Sequence, residues 1–178
     1  EKANMTPEQL ERFNNWKKEA SLMHTMEKER VSKCFQVGRV LRMANEYDAK
    51  GVFWYVYQLD FRSRMYAASS GLSPQGPDFA KGVLQLSNGK PLGDNGFYWL
   101  KVHGANTYGE DKEVYDSRVQ WIDEHKEEII QSAENPIDHR EFWGSADKPW
   151  QFLSFCFEFR DATKDRTGFV SRTPVALD

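Results

Sequence analysis

Seven consecutive residues, Asp60-Phe61-Arg62-Ser63-Arg64-Met65-Tyr66, carry the densest set of groups able to do chemistry. They follow an apolar run, Val52-Phe53-Trp54-Tyr55-Val56-Tyr57-Gln58-Leu59, rich in aromatic and β-branched residues. That run predicts a strand buried on both faces at its start. Continued through Tyr66, its period of two sets Asp60, Arg62, Arg64 and Tyr66 on one face. Guanidinium forks match phosphate oxygens, and a tyrosine ring beside them can stack on a base or sugar, the combination used by nucleic-acid grooves. The same spacing allows an ion pair from Asp60 to an arginine with Tyr66 in a core, and spacing alone does not choose between the two.

Other reactive side chains point to structure. His24, His103, His125 and His139 show no paired metal-ligand spacing, which favours hydrogen-bonded structural roles. Cys34 and Cys156 are too few and too far apart for a disulfide framework or a zinc site, and read as reduced, mostly buried thiols. Phe152, Phe155, Phe157 and Phe159 fall at helical spacing, which makes them core before it makes them a stacking platform.

The elements that position these groups can be followed along the chain. Thr6-Pro7-Glu8-Gln9 has the hydroxyl, proline and glutamine of a helix start with a capping box. Leu10, Phe13, Trp16, Ala20, Met23, Val31, Phe35 and Leu41 then recur as one stripe of a long helix that ends at Gly51 and projects from the rest. Residues 69–77 form a loop. Asp78 is placed to cap a short helix reaching about Leu86, and Asn88-Gly89 turns the chain. Asn95 opens a second helix, and a third runs from about Asp116 to Ala133 before Asn135-Pro136 stops it. Asp147 and Pro149 start a fourth, whose Trp150, Phe152, Leu153, Phe155, Cys156, Phe157 and Phe159 make it apolar on most sides and central to the core. Residues 168–178 read as loop followed by short strand.

The totals bound the class. With 178 residues, 39% hydrophobic and rich in Trp, Tyr and Phe, the chain can bury a core and is not disordered throughout. No apolar run approaches the roughly 20 residues that span a bilayer, and the first residues lack a signal-peptide stretch, so a soluble, intracellular protein is expected. A net charge of −3 makes any contact with nucleic acid local. The fold class expected is mainly helical α+β, with a protruding helix over residues 1–50 and a short antiparallel sheet within residues 51–178.

Beyond these readings, residues 60–66 resemble the Asp-x-x-Gly-Arg motif of the single-subunit DNA-directed RNA polymerases of bacteriophages and mitochondria. Further matching motifs follow in order: Pro74-Gln75-Gly76-x-Asp78, Lys81-Gly82, Gly89-Lys90-Pro91-Leu92-Gly93, Trp99-Leu100-Lys101-x-His103-Gly104-Ala105-Asn106 and Asp111-Lys112. Ala146-Asp147-x-Pro149, Leu153-x-Phe155-Cys156-Phe157-Glu158 and Pro174-Val175-Ala176-Leu177-Asp178 complete the series. Ser63 stands where the family motif has glycine; if that glycine serves a positive φ or a close backbone approach, serine crowds the position.

The resemblance implies a piece of a polymerase running from the end of the thumb, residues 1–50, into the palm, residues 51–178, with phage-like spacing. By the same resemblance Arg30 and Lys33 face nucleic acid from the thumb helix, and Arg64 and Tyr66, beside Arg62, lie along the template strand and RNA:DNA hybrid. Lys81 lies near template and hybrid, and Lys112 near the triphosphate of the incoming NTP. Asp178 matches the first of two catalytic aspartates that hold Mg2+. Two metals need more than one carboxylate, so these residues alone are expected to be catalytically incomplete. The implied partners are DNA template, hybrid and NTPs, with no membrane and a monomeric state, in the cytoplasm of a phage-infected or lysogenic bacterium or in an organelle. The alternatives are a non-catalytic nucleic-acid-binding module and a helical scaffold for protein interaction.

Overall fold

A computed structural model describes residues 5–166 and 168–175, with residue 94 described by its backbone alone. Contacts divide the chain into two compact units, Glu1–Arg42 and Met43–Asp178. Helix α1 runs Pro7–Lys50. Its start is the predicted capping box: the Thr6 N–H donates to Gln9 Oε1 at 3.0 Å, and the Gln9 N–H donates to Thr6 Oγ1 at 3.3 Å. Gly51, at φ +82°, ends it by donating its N–H back to the Tyr47 carbonyl. Within the first unit most of the apolar stripe is exposed, Trp16, Met23 and Phe35 included, and so is Cys34, which corrects the expectation of two buried thiols. A stripe at helical spacing identifies a helix, while its burial depends on what packs against it.

The second unit is built around α7, Pro149–Lys164, against which α2 (Asp78–Gly82), α3 (Gly93–Tyr108) and α5 (Lys126–Glu134) pack. The α7 rings of Phe152, Phe155 and Phe159 are the largest fully buried side chains and run as a stack with centroids 5.4–5.6 Å apart. Phe97 of α3 stacks on Phe159 at 5.5 Å. Gly104 lets α3 approach, since a Cβ there would overlap the Phe155 ring. Trp150 and Phe157 lie toward solvent, so α7 is central without being buried all round.

Several predicted boundaries move. The third helix is two, α4 (Tyr115–Glu124) and α5, broken at His125, whose Nδ1 and backbone N–H both lie on the Trp121 carbonyl, at 2.8 and 3.1 Å. A five-residue helix α6, Arg140–Gly144, follows unforeseen. Helix α2 stops at Gly82 instead of near Leu86, and α3 begins at Gly93 instead of Asn95. Strand β3, Lys90–Pro91, pairs antiparallel with β4, Val170–Ser171, so a strand comes earlier than predicted; residues 172–175 are irregular, and the end of the predicted loop-then-strand segment, residues 176–178, lies outside the described residues.

The apolar run 52–59 is strand only at β1, Tyr57–Leu59. Phe53, Tyr55 and Tyr57 form a ladder with Tyr47 at centroid spacings of 4.6, 5.4 and 6.4 Å. The intervening Val52, Trp54 and Val56 are 57%, 84% and 75% exposed, so the segment is covered on one side and not on both. With its helices and two short antiparallel sheets, the fold is mainly helical α+β, as the sequence predicts.

Candidate nucleic-acid interface

Strand β1 does not continue through Tyr66. It turns back at residues 60–64 into β2, Met65–Ala67, with Tyr57 opposite Ala67, Gln58 opposite Tyr66 and Leu59 opposite Met65. The turn is organised by Asp60. Its Oδ1 accepts the N–H groups of Arg62 at 2.8 Å and Arg64 at 3.0 Å, and its Oδ2 accepts the Arg64 guanidinium at 2.7 and 2.8 Å. The Arg64 N–H does most to hold Asp60 below the usual carboxylate range, partial burial opposes it, and the Arg64 guanidinium, the Arg62 N–H and Tyr66 add to it. Ser63 sits at φ +60°, the left-handed conformation for which glycine carries no penalty.

The hairpin corrects the predicted face and keeps most of it. By the cross-strand register Asp60, Arg64 and Tyr66 share a side, while Arg62 leaves it for the turn. The Arg64 guanidinium lies 5.7 Å from the Tyr66 ring centre, and the two side chains remain open to solvent, Arg64 at 56% and Tyr66 at 40% exposure. Of the structural alternative only the ion pair is found: Asp60 pairs with Arg64, while neither Arg64 nor Tyr66 enters a core. The Arg62 guanidinium rests 5.2 Å from the Phe61 ring centre and meets no carboxylate among the described residues.

The remaining candidates are carried by other elements. Arg30, in the first unit, is held by Glu27 through two contacts of 2.8 Å; Lys33, three residues on, is exposed. Lys81 is half-buried on α2. Lys112 is 87% exposed on the α3–α4 loop, 3.1 Å from its neighbour Asp111. Asp178 lies outside the described residues. Among the described residues no group of three or more His, Cys, Asp and Glu could hold a metal ion.

Three residues without a role assigned from sequence shape these surroundings. Arg118 clamps the Lys112 loop, donating to the carbonyls of Asp111 at 2.9 Å and Glu113 at 2.8 Å and to Asn106 Oδ1 at 2.6 Å. Glu158, buried on α7, accepts Ser171 Oγ at 2.7 Å and the Arg172 N–H at 2.8 Å, fixing the strand from which the chain continues toward residue 178. Gln75 bonds the backbone of β2. A glutamate inside an aromatic helix was a visible signal for Glu158, because a buried carboxylate must find donors. Nothing local marked Arg118.

An exposed hairpin offering a guanidinium beside a phenol has the groups to contact a phosphate-bearing polymer. The family model described as DNA-dependent RNA polymerase matches residues 90–178, half of the chain, and the chain belongs to this family. It is 39% identical over 166 residues to the DNA-directed RNA polymerase of Enterobacteria phage T3, covering 93% of this chain and 19% of that protein. To the T7 RNA polymerase of Escherichia phage T7 it is 36% identical over 178 residues, all of this chain and 20% of that protein. The mitochondrial DNA-directed RNA polymerase of Schizosaccharomyces pombe is 39% identical over 128 residues, covering 71% of this chain and 11% of that protein. The chain thus spans about a fifth of the length of the two phage relatives. No helix among the described residues is long and apolar enough to cross a membrane.

Proposed function

We propose that this chain is the part of a template-directed RNA polymerase that holds the DNA template and the RNA:DNA hybrid, through Arg64 and Tyr66 first, with Arg62 and Lys81 of the second unit and Arg30 and Lys33 of the first as further contacts. The observation that carries the reading is the pairing of Arg64 with Tyr66 on the open side of a hairpin whose turn Asp60 organises. Asp60 orients the Arg64 fork in advance, so a phosphate oxygen that takes over part of its donor set meets a side chain already ordered. Arg62, without a carboxylate partner among the described residues, can reach a second phosphate at little cost. The Tyr66 ring supplies the flat surface for a base or sugar.

Residues 1–50 correspond in this reading to the end of the thumb and 51–178 to part of the palm. Lys112, presented by the loop that Arg118 clamps, is the contact for the NTP triphosphate. Asp178 is a ligand of catalytic Mg2+, which when bound would activate the attacking hydroxyl and neutralise the leaving pyrophosphate. One matched aspartate is fewer carboxylates than two metals need, so nucleotidyl transfer is not assigned to these 178 residues by themselves. The polymerase acts as a monomer in the cytoplasm of a phage-bearing bacterium, or in an organelle.

The test is a titration of the chain with fluorescent RNA:DNA hybrid over a range of salt. Binding is expected, with log affinity falling linearly against log salt as phosphates are neutralised. Absent or salt-independent binding would overturn the reading and return the chain to the scaffold alternative.

A further inference from the structure

The outer edge of the hairpin is closed by a side chain. Asp60 donates its N–H to the Arg64 carbonyl and Ala68 donates to the Val56 carbonyl. The alternation of an antiparallel ladder therefore turns the N–H and C=O groups of Met65 and Ala67 away from β1. Gln75 meets both: its Oε1 accepts the Ala67 N–H at 2.7 Å, and its Nε2 donates to the Met65 carbonyl at 2.8 Å. One primary amide thus takes the place of a third strand along the stretch whose middle residue is Tyr66. The primary amide serves because the backbone presents one donor and one acceptor, and the group that meets them must offer one of each.

Gln75 is itself anchored. Its N–H donates to Ser73 Oγ at 3.2 Å, Ser73 is buried, and the Gly76 N–H donates to the Ser73 carbonyl at 3.0 Å. Three residues on, Asp78 accepts the N–H groups of Trp150 and Gln151 in the first turn of α7. A segment of four residues therefore joins the edge of the hairpin to the central helix.

We infer that Gln75 is a positioning residue for nucleic-acid binding: by pinning the edge of β2 to a loop anchored on α7, it fixes the backbone from which Arg64 and Tyr66 meet the template or hybrid. The inference rests on the interface proposed above. A two-stranded hairpin alone is marginal in water, and this one is largely exposed, so its order has to come from such ties.

The test compares hybrid binding by the wild-type chain, Gln75→Ala and Gln75→Glu between pH 8 and about 4.5, around and above the ordinary glutamate value. Circular dichroism follows the fold, and hydrogen exchange follows the Ala67 amide. Gln75→Ala is expected to weaken binding about five- to tenfold relative to wild type at every pH, the scale of one lost hydrogen bond. It should also speed exchange at Ala67. Gln75→Glu should bind weakly at pH 8, where the ionised group has no proton for the Met65 carbonyl. Binding should recover toward wild type as the group protonates, because a carboxylic acid has the donor and acceptor of the amide it replaces.

A defect in Gln75→Glu with none in Gln75→Ala would mean that added negative charge alone repels the nucleic acid, and the brace would be overturned. Wild-type binding that neither substitution alters overturns it as well. Failure of the wild-type chain to bind hybrid removes the interface itself, so the two failures are read from different arms of the experiment.

Discussion

The carboxylate of Asp78 accepts the backbone N–H of Trp150 at 2.8 Å, so the first turn of α7 is capped by a residue 72 positions earlier in the chain. The second oxygen takes the N–H of Gln151 at 3.2 Å and its side-chain amide at 2.9 Å. Helix starts leave N–H groups without intrahelical partners, and an anion there also meets the favourable end of the helix dipole. Asp78→Ala is expected to lower stability by about 1–2 kcal/mol, the usual cost of a lost cap. Asp78→Asn, which keeps an acceptor, should lose less. Urea denaturation checks this as a fall in midpoint at constant slope; an unmoved midpoint for Asp78→Ala would show that the cap contributes nothing.

Ser63 offers the opposite sign. At φ +60° it holds a conformation that costs a residue with a Cβ about 1–2 kcal/mol relative to glycine. Glycine adds freedom to the unfolded chain, which offsets part of that. Ser63→Gly should therefore stabilise the second unit by about 0.5–1 kcal/mol, while Ser63→Val, branched at Cβ, should destabilise it. Denaturation of the three proteins side by side decides it, and a loss of stability in Ser63→Gly would refute the strain.

Ser63 also shows why the hairpin was hidden from the sequence. A glycine there would have marked a turn; with serine in its place the period-two pattern runs unbroken from Tyr57 to Tyr66 and reads as one strand. The capping box at Thr6 was legible because every group that forms it lies within four residues, and the start of α7 because Pro149 at its first position marks it locally. Asp78 was legible as a cap and was assigned to the wrong helix: Pro77 holds the N-cap position of α2, and no local feature says that the carboxylate reaches α7. The alternating exposure along residues 52–57 was equally out of reach, because the residues are apolar on both sides and only the aromatic ladder on one side decides which are covered.

His103 gives the second unit a pH dependence. Burial pushes it from its ordinary 6.5 down to about 4; nearby Glu158 opposes the shift and Lys148 adds to it. Between those two values the unfolded chain takes up a proton that the folded protein refuses. Stability is therefore fully present above about pH 6.5 and is lost as pH falls toward 4, by up to about 3 kcal/mol in total. Asp60, held low first by the Arg64 N–H, and Asp111 and Asp161, held low first by hydrogen bonds from Lys112 and Arg160, add losses around and below their ordinary 3.8, at the acid end of this range. Urea midpoints at pH 7, 6 and 5 should fall for the wild-type chain and flatten for His103→Gln. Equal slopes in the two proteins would show that His103 is not the group responsible.

Arg64 and Arg62 separate phosphate contact from hairpin order. Arg64 binds Asp60 through Nε and Nη2, so Arg64→Ala removes a cation and part of the turn together. Arg62 makes no such pair among the described residues, so Arg62→Ala removes charge and leaves the turn intact. Each substitution should lower the salt slope of hybrid binding by roughly one, the signature of one phosphate contact. Arg64→Ala should cost about 1–3 kcal/mol of affinity and Arg62→Ala less, because only the Arg64 fork is held ready beside Tyr66. Arg64→Lys keeps the charge without the fork, so its slope should stay near the wild-type value while its affinity falls between wild type and Arg64→Ala. Asp178→Ala should leave binding nearly unchanged, since the role proposed for it is to hold metal. Fluorescence titrations at several salt concentrations measure all five proteins. If Arg64→Ala keeps both the affinity and the salt slope of the wild-type chain, the hairpin does not contact the hybrid, and the exposed pair of Arg64 and Tyr66 serves only the fold.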